Sequence, residues 1–181
     1  MSTFKTDLIN RSEHNDVVGF IDSALGLSSS QLPTIDVEAT RLVLMLMRVS
    51  DALKYDLEAA VQRPAGLSSP GFHLLWILWL IGPAEASVTA SLMGVSRATI
   101  SGISSTLEKT GFISRIPSKK DGRSILLNLT SAGRKDFESI FEKTNERYMA
   151  WSNNLTAGEI ATLVSLLAKF VEGGTDAKRR K

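Results

Sequence analysis

The chain has 181 residues, 43% hydrophobic and 22% charged, the balance of an ordinary globular protein with enough apolar material for a core. It has no cysteine and only two histidines, His14 and His73. That excludes disulfides, thiolate nucleophiles and zinc–thiolate sites, and argues against a multi-histidine metal centre within one chain.

The net charge is +2 but unevenly placed: residues 96–135 hold eight basic side chains against Glu108 and Asp121, so that segment is +6 and the remainder −4. Such a concentration fits a polyanion partner, or simply a solvated surface. The most apolar run, Phe72 to Ile81, is too short to span a bilayer, and the N-terminus lacks the pattern of a secretory leader. A cytoplasmic protein without membrane contact is the expectation.

In chain order, residues 1–35 form an N-terminal arm in which VVGFIDSALGL suits one short amphipathic helix, broken by SSSQLPT. Residues 36–62 predict a long helix capped by Asp36, with Leu42, Leu46, Val49, Leu53 and Leu57 along one face. That face is broader than a small domain covers easily. Internal core and pairing with a second subunit are both open. After the loop RPAGLSSPG, Ser69-Pro70 marks the start of an apolar helix that Gly82-Pro83 stops. A short helix over Ala84 to Met93 ends at Gly94, and a second, capped by Ser96, runs to Lys109 and ends at Gly111. Two short helices around a glycine turn make a helix-turn-helix.

FISRI and SILLNL are β-prone runs joined by the basic link PSKKDGR, a hairpin with Ile113, Ile125, Leu127 and Leu129 as inward residues. Thr130 or Ser131 then caps a helix whose apolar side is Phe137, Ile140, Phe141, Tyr148 and Trp151. Thr156 caps a last helix with a stripe of Ile160, Leu163, Val164, Leu167 and Phe170, ended by Gly173-Gly174. Residues 173–181 are expected to be a disordered basic tail. The fold class is mainly α with a small β-hairpin wing.

The helix from Ser96 to Lys109 is unusual. Ile100, Ile103 and Leu107 give it one apolar stripe, while the opposite face carries Ser96, Arg97, Thr99, Ser101, Gly102 and Ser105. Ordinary surface helices favour Glu, Lys and Gln. A helix that enters the DNA major groove needs small outward residues to bring its backbone near base edges, hydroxyls for phosphates or bases, and an Arg that reaches phosphate or guanine. The helix N-terminus itself favours phosphate. At the hairpin tip, Lys119, Lys120 and Arg123 suit a DNA backbone or minor groove. Asp121 suits either orientation of Arg123 or Arg115, or plain turn formation.

The stretches GVSRATIS, LEKTGFISR, DGRS and LTSAGR, in this order and spacing, resemble the winged helix-turn-helix of the MarR family of bacterial transcription regulators, and the likeness spans roughly residues 36–171. The resemblance implies a homodimer held by helices from 36–66 and 136–172, with 67–135 as the DNA-binding domain. It implies a pseudo-palindromic double-stranded operator read by Ser96, Arg97, Thr99, Ser101 and Ser105, with Asp121 and Arg123 as the wing pair; Arg115, Lys119 and Lys120 are expected as further DNA contacts from their place in the basic segment. It further implies a repressor released by a small aromatic or carboxylate ligand. Gly102 stands where many members carry a longer polar residue, and the N-terminal arm exceeds the shortest members.

The helix FHLLWILWLI is apolar almost all round, with His73 and Trp76 one turn apart. Either a packed interface covers them or, with Arg48, Met45 and Met47, they line an effector pocket. No phosphate loop, metal cluster or nucleophile–base set points to an enzyme, and no cofactor is expected. The competing reading is a winged-helix module that binds proteins, as an adaptor or antirepressor.

Overall fold

The computed structural model describes Thr6, residues 16–118 and residues 124–179. The chain divides into two compact units, residues 1–59 and 60–181.

The first unit is a pair of helices. α1, Val17–Gln31, is capped by Asp16, whose carboxylate accepts from the Gly19 amide at 3.0 Å. It runs through the serines expected to break it, because the hydroxyls of Ser28, Ser29 and Ser30 donate back to the carbonyls of Ala24, Gly26 and Leu27. α2, Val37–Leu57, starts at the expected cap, Asp36, which accepts from Ala39 at 2.9 Å. Arg41 of α2 reaches Asp22 of α1 at 3.1 Å, and Ile21 and Leu25 are buried. The end of α2 widens into one π-helical turn, Glu58–Gln62.

The second unit begins with α3, Ser69–Ile81. Its cap is Ser68, one residue earlier than expected; Pro70 sits in the first turn, and Gly82, at φ +76°, stops it. Ala84–Glu85 is not helical but forms a short strand, β1, ahead of α4, Ala86–Met93. Gly94, at φ +67°, turns the chain into α5, Arg97–Lys109, a backbone conformation that only glycine adopts without strain. The wing strands β2, Ile113–Pro117, and β3, Ile125–Leu129, pair antiparallel, with Ile113 opposite Leu129 and Arg115 opposite Leu127. β1 joins the other edge of β3, so the expected hairpin is a three-stranded sheet in the order β1-β3-β2.

α6, Ser131–Ser152, and α7, Ala157–Arg179, complete the chain. Thr130 caps α6 by accepting from Gly133 N–H at 2.8 Å, and its hydroxyl donates to Gly111 O at 2.8 Å. Thr156 and Glu159 form a reciprocal capping box at the head of α7. Gly173-Gly174 does not end α7, which continues to Arg179, so those positions do not form the disordered tail expected of them.

One apolar core holds the second unit. Phe72, Leu74, Leu75 and Leu78 of α3 pack with Ile100 and Leu107 of α5, Ile113, Leu127 and Leu129 of the sheet, and Phe137 and Ile140 of α6. Ile125 is not part of it: at the first position of β3, opposite Pro117, it is half exposed. Trp79 and Phe141 stack at 5.8 Å, and the Trp79 indole donates to Glu138 at 2.9 Å, tying α3 to α6. Among the described residues, no single helix is long and apolar enough to cross a membrane.

Candidate nucleic-acid interface

α5 is built to face two ways. Ile100, Ser104 and Leu107 are buried and Ile103 half buried, a strip at helical spacing that anchors the helix on the core. Burying Ile100 alone contributes about 1.5–3 kcal/mol. The opposite side exposes Arg97, Thr99, Ser101, Gly102 and Ser105. Ser96 begins the helix: its hydroxyl accepts from Thr99 N–H at 3.1 Å and bonds the Thr99 hydroxyl at 2.8 Å. The result is a helix whose outward face has no bulk and whose first turn carries one cation.

Gly102 has open space around it, since a Cβ there would meet no atom within 4 Å. Nothing inside the chain requires this glycine, although a mid-helix glycine costs about 0.5–1 kcal/mol relative to alanine. Gly102 and Thr106 border a recess of about 230 Å³ shared with Gly66, Ser68 and Gly71 at the head of α3.

The wing base adjoins the head of α5. Arg97 lines a shallow recess of about 220 Å³ with Glu85, Ser87 and Ala86 on one side and Ser124 and Ile125 of the wing on the other. Ser87 and Ser124 were not anticipated from the sequence; the pairing of β1 with β3 brings the base of the wing beside the head of α4. Lys119, Lys120, Asp121 and Arg123 lie outside the described residues.

Arg115 departs from the expected arrangement. Its Nε donates to Glu108 at 3.0 Å and its Nη2 to the Ser104 hydroxyl at 3.0 Å, so its guanidinium is held against α5. Arg115 shares its strand face with buried Ile113 and stands opposite buried Leu127, which puts its stem on the core side of the wing. Strand alternation from Ile113 was the available clue to this orientation.

Of the residues assigned to an effector, His73 and Trp76 are exposed on α3 and Trp76 is 39% accessible. Met45 is half buried on α2, where Met47 and Arg48 are exposed. Among the described residues, no group of three or more His, Asp or Glu could hold a metal ion.

Comparison with known proteins bears on this arrangement. The pattern of the MarR family matches residues 67–125, the segment from the loop before α3 to the start of β3. The regulator FarR of Neisseria gonorrhoeae is 30% identical over 108 residues, covering 60% of this chain and 74% of FarR. YwaE of Bacillus subtilis, an uncharacterized HTH-type transcriptional regulator, is 26% identical over 151 residues, 83% of this chain and 88% of that protein. The structure of NadR in complex with 4-hydroxyphenylacetate superposes with a TM-score of 0.58 at 27% identity, over 70% of this chain and 89% of NadR.

Proposed function

The chain belongs to the MarR family and is a DNA-binding transcription regulator, and from that premise we propose that it acts in the cytoplasm as a homodimeric repressor released by a small aromatic or carboxylate ligand. The observation that carries the DNA reading is the outward face of α5: small, hydroxylic, headed by Arg97, and adjoining the wing base. In the proposed complex α5 enters the major groove, with Ser96, Arg97, Thr99, Ser101 and Ser105 touching bases or phosphates. Lys119, Lys120 and Arg123 of the wing, oriented by Asp121, hold the flanking backbone or minor groove.

The homodimer reading is supported by apolar side chains that a single chain leaves uncovered: Leu163, Val164, Leu167 and Phe170 of α7, and Leu42, Met47 and Val49 of α2. Segments 36–66 and 136–172 would then serve as the dimerisation helices. A two-fold dimer presents two α5 helices and therefore reads an inverted repeat. The relatives named above are transcriptional regulators.

Release by a ligand requires that it bind better to a dimer geometry that does not fit DNA; by linkage, DNA then weakens the ligand by the same factor. Arg48, His73, Trp76, Met45 and Met47 are the proposed contacts, offering a cation for a carboxylate, an aromatic face and adaptable apolar lining. That NadR is seen with 4-hydroxyphenylacetate, an aromatic carboxylate, supports this ligand class.

Selection of sites from a random duplex library by the purified protein tests the proposal. An enriched inverted repeat with half-sites about one helical turn apart is expected. A folded dimer that enriches no motif, with or without removal of small molecules, would overturn the operator reading in favour of a protein-binding module.

A further inference from the structure

We propose that Arg115 is a positioning residue that clamps the wing to the recognition helix, and so sets the spacing with which the two engage DNA, rather than a DNA contact. This rests on the DNA-binding reading above.

The clamp has two points of attachment. Arg115, in the middle of β2, donates Nε–H to Glu108 Oε2 and Nη2–H to Ser104 Oγ, both at 3.0 Å. Ser104 and Glu108 lie four residues apart, hence one above the other on the same side of α5. The apolar contacts of Ile113 set no direction; two hydrogen bonds from one planar guanidinium add a fixed distance and rotation between β2 and α5. Ser104 is itself held: it is 1% exposed and its hydroxyl proton goes to the Ser101 carbonyl at 3.1 Å, leaving a lone pair for Arg115. A serine buried on the inward strip of α5, where every other position is apolar, has its explanation in this bond.

The partners' side chains are about two-fifths exposed, 38% for Arg115 and 39% for Glu108. Ion pairs so exposed add little to overall stability. Their effect is geometric: they add a directional polar link between two elements that otherwise meet through the turn at Gly111 and the apolar contacts of Ile113 and Leu107 in the core. Glu108 makes the proposal sharply testable. It is one of two acidic residues in a segment of net charge +6. If only the field around DNA mattered, neutralising it would tighten binding.

The test uses the full-length protein and its selected duplex, with affinity followed across a salt series for the wild type, Glu108→Gln, Arg115→Lys and Arg115→Ala. The clamp predicts about 10-fold weaker binding for Glu108→Gln, against the electrostatic sign, with an unchanged salt slope. Arg115→Lys, which keeps the charge but cannot hold both anchors, should lose nearly as much. Binding by Glu108→Gln as tight as or tighter than wild type would overturn the proposal. So would full activity of Arg115→Lys together with a slope lowered by about one in Arg115→Ala, the mark of a lost phosphate contact.

Amide hydrogen exchange on the same variants separates failure of this proposal from failure of the operator reading, since it needs no DNA. Faster exchange confined to β2, β3 and the second half of α5, with α3 unchanged, supports the clamp. Exchange identical to wild type, or accelerated throughout the second unit, refutes it.

Discussion

The core beneath α5 and the surface of α7 are built from the same residue types and end in opposite states. Beneath α5, Leu74, Leu75, Ile100 and Phe137 are fully buried within one chain. On α7 every described side chain from 157 to 174 is exposed, including Leu163, Val164, Leu167 and Phe170 in one stripe. α6 crosses from one regime to the other, with Phe137 and Ile140 buried near its start and Tyr148 and Trp151 about 40% exposed near its end. The core is a folding unit that satisfies itself; the α7 stripe is left uncovered by its own chain. Mutations in the two regions should therefore differ in kind as well as in size.

The largest effect is expected at Gly133. A Cβ there would fall 2.1 Å from the Phe112 carbonyl oxygen, backbone against backbone. Gly133→Ala should cost about 4 kcal/mol or more in urea unfolding, because α6 must lift off the sheet.

Paired truncations sharpen the comparison next. Ile100→Ala should destabilise by about 2–5 kcal/mol whatever the protein concentration. Leu167→Ala should destabilise by an amount that depends on concentration, since its partner is proposed to be a second chain. Unfolding curves at two concentrations 100-fold apart check this, and a concentration-independent Leu167 effect would break the distinction. In the same vein, Leu163→Glu with Leu167→Glu should give a folded monomer in ultracentrifugation whose operator affinity falls about 100-fold or more, as linked half-site binding is lost.

A smaller effect is expected at Gly102. With open space around it, Gly102→Ala should raise stability by about 0.5–1 kcal/mol. If the glycine serves close approach to DNA, the same variant binds operator more weakly, a stability gain with a functional loss.

The smallest effect concerns the head of α7. The Thr156 amide, and then its hydroxyl, donate to Glu159 and hold its carboxyl below the ordinary value of 4.5. A depressed acid adds stability above its unfolded value and loses it as pH falls through the folded value. Circular dichroism between pH 6 and 3 should show a slight helix loss that Glu159→Gln abolishes.

How far the sequence alone led can be judged element by element. The caps at Asp36, Ser96 and Thr156 were legible, and that of α6 to within one residue, because a cap is a hydrogen bond three residues long and needs no distant partner. The inward strip of α5 was legible from its spacing, and so was the exposed face opposite. The family resemblance located the helix-turn-helix and wing, and the match over residues 67–125 bears it out.

Other features depended on partners far along the chain. β1 is two residues long and exists because Glu85 and Ala84 meet Leu126 and Leu127 of β3; its own residues carry no strand pattern. Arg115 looked like one more cation in a basic segment until Ser104 and Glu108 were found beside it. The helix through Gly173-Gly174 shows a local breaker overridden, since helix propagation is cooperative and each glycine costs only about 1 kcal/mol.

Local periodicity and capping chemistry thus determined where most of the helices start, which face of α5 turns inward and where that helix begins, because those choices are made within one or two turns of chain. Tertiary structure alone decided that the wing has a third strand, that Arg115 turns toward α5, and which apolar faces remain uncovered. Each of these depends on side chains brought together from distant positions, and their meeting is decided by packing.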